Sequence, residues 1–113
     1  AGAIGRLHIC GNTTRIVSDM ARSGARIIDL DWQVDLAAAR AQVQAIDPAI
    51  ALCGNIDPVA VLYNGSPEGI RQAVIACRAA GGPNWLAAPG CEVPRHTPAE
   101  NLHAFGAALE VSC

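Results

Sequence analysis

The sequence has no lysine. All eight of its basic residues are arginine, and ten acidic residues bring the net charge to −2. No basic stripe exists to track a phosphate backbone, so nucleic acid is not an expected partner. Aromatic residues make up only 4% of the chain, and no apolar run approaches the ~18 residues that span a bilayer. No basic segment precedes a short hydrophobic one, so neither a membrane span nor a secretion signal is expected. The five cysteines are odd in number and none forms a CxxC pair. That pattern argues against a disulfide framework and for a reducing, cytoplasmic setting.

What is present is small and apolar. Hydrophobic residues account for 51% of the 113 positions, with eleven glycines among the rest. This length forms a single domain, residues 1–113, and the composition suits helices packed tightly on a sheet. The chain opens Ala1-Gly2-Ala3 rather than with Met and almost at once enters a strand. It reads as a piece of a longer protein, or as a chain carrying residues left by a tag.

The pattern of apolar residues and breakers predicts four strand–helix units, βαβαβαβα. A first strand covers Ile4 to Cys10, and Gly11-Asn12 turns it into a helix over Thr13 to Ser23, with Gly24 as its C-cap. Arg26 to Leu30 forms the second strand, followed by a helix from Asp35 to Ala45 that Pro48 stops. The third strand runs from Ala49 to Cys53. Asp57-Pro58 then starts a short helical piece to Tyr63, and Ser66-Pro67-Glu68 opens a long helix to Ala80. Trp85 to Ala88 is the fourth strand. Thr97-Pro98-Ala99-Glu100 is a capping box opening a last helix to about Val111. Strict alternation with short loops predicts a parallel sheet covered by helices.

Chemistry concentrates at the strand ends. Residues two apart on a strand share a face, so His8 and Cys10 present an imidazole and a thiol side by side. Cys91, after the fourth strand, would complete a His/Cys/Cys set that suits Zn²⁺ and leaves a fourth tetrahedral position open. Cys10-Gly11-Asn12 and Cys53-Gly54-Asn55 form a faint repeat at two strand ends. Both a barrel and an open doubly wound sheet accommodate such a repeat.

These residues resemble those of the uroporphyrinogen decarboxylase superfamily. The resemblance is carried by His8 to Thr13, Ile28 to Asp31 with Val34-Asp35-Leu36, Gly54-Asn55-Ile56-Asp57-Pro58, Ala88 to Pro94, and Thr97 to Leu102. Within the superfamily the chain is most similar to the methylcobamide:coenzyme M methyltransferase branch. The resemblance implies that the four βα units are the C-terminal half of a (β/α)8 TIM-type barrel, a complete one needing roughly 250 residues. It also implies that His8, Cys10 and Cys91 bind zinc at the C-terminal rim of the strands, and that a corrinoid on a partner protein exchanges a methyl group with a small thiol. Uroporphyrinogen decarboxylases carry a Gly-His-Gly type turn where this chain has Pro89-Gly90-Cys91, and they lack the His-x-Cys pair. The isolated half is expected to be inactive.

Other readings stand beside these. Cys10 and Cys91 can be small buried hydrophobes, and His8 a hydrogen-bonded core histidine. Cys53 is a candidate fourth ligand, whereas Cys77 and Cys113 suit packing and His96 and His103 the surface. Asp29 and Asp31 are candidates to orient His8 or approach a metal, or else are capping carboxylates. Asp57 is a candidate catalytic group on the rim and equally an N-cap. Glu92 follows a candidate ligand, and Glu100 belongs to the capping box. At the level of function, a carboxy-lyase of tetrapyrrole biosynthesis and a non-catalytic half-barrel docking module are the alternatives to methyl transfer. Either way, open sheet edges favour self-association.

Overall fold

The computed structural model describes residues 2–110. Its four strands are all parallel and lie in sequential order: β1 (Arg6–Ile9), β2 (Ile27–Leu30), β3 (Ala51–Cys53) and β4 (Trp85–Leu86). The third strand does not cross to the far side of the first, so the sheet is an arc of a barrel rather than a doubly wound sheet. The intervening helices are α1 (Val17–Arg22), α2 (Leu36–Ile46), α3 (Pro67–Gly81) and α4 (Ala99–Glu110).

Register decides which face each residue takes. Leu7, Ile28, Leu52 and Trp85 align in one row across the sheet and join the core under the helices. His8, Asp29, Cys53 and Leu86 form the next row, on the opposite face. Val17, Leu36, Ala39 and Val43 cover the first row from α1 and α2. A second cluster, around Ile56, Leu62, Ile70 and Val74, joins α3 and α4 to the segment after β3.

Local chemistry explains where the elements stop. The expected first helix divides: Thr14–Ile16 is a 3₁₀ turn and α1 begins only at Val17. Asn12 Oδ1 accepts from both the backbone N–H and the hydroxyl of Thr14, at 3.2 and 2.5 Å, which tightens the chain before the helix starts. Asp35 caps α2 and Ser66 caps α3, each accepting the N–H three residues on. Pro58–Tyr63 winds as a π-helical turn, in which Leu62 N donates to Asp57 O and Asn64 N to Val59 O.

The fourth strand is shorter than expected, Trp85–Leu86 rather than through Ala88. Pairing nonetheless continues as a bridge, with Ile56 N donating to Ala88 O and Gly90 N to Ile56 O. Before α4, the Thr97 hydroxyl donates to Pro94 O at 2.8 Å. The expected end of α4 at Val111, like Cys113, lies outside the described residues. Among the described residues, no helix is long and apolar enough to cross a membrane.

Candidate metal centre

Three strand ends meet at one rim. Cys10 follows β1, Asp29 to Asp31 end β2, and Cys91 stands in the loop after β4. His8 Nδ1 lies 3.2 Å from the backbone carbonyl of Asp29, an acceptor only, so this nitrogen carries the proton. Nε2 is then the lone-pair nitrogen, and it faces Cys10 Sγ at 3.4 Å. Cys10 Sγ in turn lies 3.7 Å from Cys91 Sγ. One donor atom each from His8, Cys10 and Cys91 falls within 4.8 Å of the other two, and they are the one such metal-ligating group among the described residues.

The two contacts of Cys10 Sγ match two edges of a tetrahedron. With Zn–S of ~2.3 Å and Zn–N of ~2.0–2.1 Å, two sulfurs on one ion stand about 3.8 Å apart, and sulfur and nitrogen about 3.6 Å. One neutral imidazole and two thiolates are borderline-soft donors, and as a set they neutralise a divalent charge. Without a cation the hydrogen bond to Cys91, then the Cys91 charge, raises the Cys10 pKa above the ordinary thiol value.

Backbone shape delivers Cys91. A Cβ on Gly90 would collide with the backbone of Trp32, so only glycine lets this loop lie against the end of β2. Gly54 has the same relation to Leu30: its φ is +119°, and a Cβ there would stand 2.6 Å from Leu30 O. Asp31, 3% exposed, accepts from Gly11 N at 3.0 Å and Gln33 N at 2.9 Å, tying the loop after β1 to that after β2.

The other sequence candidates take varied places. Asp29 is buried beside His8, and its Oδ2 accepts from Arg6 Nε at 2.9 Å and Nη2 at 2.5 Å. Asp57 caps the π-helical turn, its Oδ1 accepting from Val59 N and Ala60 N at 2.9 Å. Cys53 is buried, and its thiol pKa is raised first by desolvation and then by the Asp29 charge; it stands outside the ligating group. Cys77 packs half-buried with its sulfur 3.9 Å from Asn55 Oδ1. Glu92 is exposed on the edge of the site, and Glu100, His96 and His103 are exposed elsewhere.

Three participants escaped the sequence reading. Arg6 sits two residues before His8 and so shares its face, a signal that was available from alternation. Trp32 is 46% exposed at the rim, and only the fold reveals that it backs Gly90. Asn101 lies 2% exposed, donating from Nδ2 to Leu62 O at 2.7 Å and Gly65 O at 3.0 Å, which fastens α4 to the rim segment after β3. A cleft of about 230 Å³ opens beside the thiols, between Arg6, His8 and Asp29 on one side and Pro89, Cys91 and Glu92 on the other.

Known proteins resemble this chain in sequence and fold. The chain is 41% identical over 96 residues to the methylcobamide:CoM methyltransferase MtbA of Methanosarcina acetivorans, a match covering 85% of this chain and 26% of that protein. It is 39% identical over 100 residues to the uroporphyrinogen decarboxylase of Microcystis aeruginosa, covering 88% of this chain and 27% of the relative. A solved structure, a methyltransferase from Methanosarcina mazei, superposes with a TM-score of 0.82 at 30% identity, over 95% of this chain and 31% of the other. The chain thus spans about a quarter to a third of the length of these relatives. Its four sequential βα units are part of a TIM-type barrel. The uroporphyrinogen decarboxylase (URO-D) family pattern matches residues 4–110, nearly the whole chain, and to that family the chain belongs.

Proposed function

We propose that this chain is the metal-holding part, the C-terminal half of the barrel, of a URO-D family methyltransferase that moves a methyl group between a corrinoid and a thiol. One observation carries the reading: donor atoms of His8, Cys10 and Cys91 converge within 4.8 Å of one another on the rim where barrel enzymes keep their chemistry. The donor set fits Zn²⁺, with His8 Nε2 and the sulfurs of Cys10 and Cys91 as its holders. When bound, Zn²⁺ supplies the positive charge that favours the deprotonated form of a thiol brought to the site.

The chain's own residues do the rest. The Asp29 carbonyl accepts from His8 Nδ1, which turns Nε2 toward Cys10 as the ligating nitrogen. Two cysteinates leave the centre electron-rich, so a substrate sulfur there remains nucleophilic toward a methyl group. The cleft beside Cys91 has room for a small thiol, and the methyl group comes from a corrinoid carried by another protein. Asp31 and Asp57 brace the loops that frame the site, and the Asp31 charge reaches the Cys10 thiol.

Metal analysis of the purified protein tests this, with Cys10→Ala and Cys91→Ala beside the wild type, together with transfer of methyl from methylcobalamin to a small alkyl thiol by the polypeptide carrying the complete barrel. Stoichiometric zinc and methyl transfer in the wild type, both lost in the variants, are expected. A decarboxylase of the same family needs no such metal. Porphyrinogen decarboxylation without zinc would replace this reading.

A further inference from the structure

Asp29 holds a carboxylate oxygen that no hydrogen bond satisfies. The side chain is 8% exposed, Oδ1 is buried and unpartnered, and Oδ2 carries both hydrogen bonds from Arg6. Such an atom is costly unless a donor reaches it. Solvent does not touch it. His8 Nδ1 stands 3.6 Å from Oδ1 and 3.2 Å from the backbone carbonyl of the same residue, so Asp29 offers one N–H two acceptors. The placement is dictated by the sheet, since β1 and β2 pair with His8 opposite Asp29. On the other flank Cys53 is the register partner of Asp29, its thiol pKa raised by burial and then by the Asp29 charge.

We propose that Asp29 and Arg6 form a positioning pair for His8: Arg6 fixes the buried carboxylate through Oδ2, and Oδ1 engages Nδ1–H when Nε2 ligates a divalent cation. The inference rests on the metal reading above and adds to it the residues that set the strength of the site. An imidazole that gives its Nε2 lone pair to a cation becomes a stronger donor at Nδ1, which draws the N–H toward the charged oxygen. A small tilt of the ring closes the gap. Arg6 keeps the carboxylate from turning away, and its own side chain, 53% exposed, makes it replaceable without opening the core.

The experiment measures Zn²⁺ affinity by competition with a chromophoric chelator, and the visible spectrum of the Co²⁺ form, in wild type, Asp29→Asn and Arg6→Gln. Metal-free unfolding of each variant, followed by circular dichroism, separates folding from ligation. Asp29→Asn keeps the shape and loses the charge; its zinc affinity is expected to fall ~10–100-fold, with a shifted Co²⁺ band pattern. Arg6→Gln is expected to weaken zinc several-fold while the metal-free fold is kept, and it decides the matter should Asp29→Asn fail to fold. Wild-type protein that binds zinc tightly, with both variants within twofold of it and unchanged Co²⁺ spectra, overturns the positioning role alone. Wild-type protein that binds no zinc overturns the metal reading and this inference together.

Discussion

Cys10 and Cys91, 81 positions apart in sequence, hold their sulfur atoms 3.7 Å apart at the rim of the sheet. Neither residue alone suggests more than an accessible thiol. Together they give the chain a site whose state depends on what lies between them.

With metal chelated, the pair is expected to form a disulfide on treatment with diamide, which takes up the two thiol hydrogens. Mass spectrometry of the digested protein should find Cys10 and Cys91 linked and the chain two hydrogens lighter. Added zinc should suppress the linkage. Equal reactivity with and without zinc would count against a shared cation.

Gly90→Ala should damage the site without touching a ligand. The new methyl meets the backbone of Trp32, so the loop after β4 must shift and carry Cys91 with it. Overpacking of this kind costs typically ~1–3 kcal/mol. Denaturant unfolding should register that loss, and zinc content should drop alongside it.

Asn101→Ala should separate stability from ligation. It removes both donors to Leu62 O and Gly65 O beneath α4, and leaving buried carbonyls unpaired costs about 1–3 kcal/mol. A lowered melting temperature with unchanged zinc stoichiometry is expected, because Asn101 touches none of the candidate ligands.

Acid should weaken the corner between α2 and β3. The Asp47 pKa is lowered, first by the hydrogen bond from Ala49 N at 2.9 Å and also by Arg26, whose Nη1 lies 3.1 Å from Oδ2. A depressed folded-state pKa stabilises the fold above the unfolded value of ~3.9. That contribution disappears as pH falls through the unfolded and then the folded value. Asp47→Asn should therefore be less stable than wild type at neutral pH and converge on it in acid, as pH-dependent unfolding curves would record.

The sheet edges predict association. Among the described residues β1 and β4 each have one side without a strand partner, and Ile4, Ile9 and Leu86 are exposed by 72%, 37% and 45%. Light scattering on this chain should report a dimer, and Ile4→Lys with Leu86→Lys should shift it toward monomer. A wild-type monomer at high concentration would refute it.

Much of the fold is legible along the chain. Proline at the start of two helical segments, capping by Asp35, Asp57 and Ser66, and strand-end glycines are local signals, set by covalent neighbours. Alternation places His8 and Cys10 on one face for the same reason. The π-helical winding after Asp57 and the 3₁₀ turn before α1 were not legible, because residue types mark where a helix starts and not which carbonyl, three, four or five residues back, each N–H takes.

By itself, then, the sequence determined four βα units, the residue types at their ends and the family they belong to. Tertiary structure decided what those ends do. The parallel register sets Asp29 beside His8, and Gly90 packing on Trp32 brings Cys91 to Cys10. It also gives Asp31 and Asp57 backbone N–H partners in the loops of the rim, with the Asp31 charge felt at Cys10. The reason is physical: spacing along a chain is fixed by bond geometry, whereas distance between strand ends is fixed only once a whole sheet has closed its hydrogen bonds.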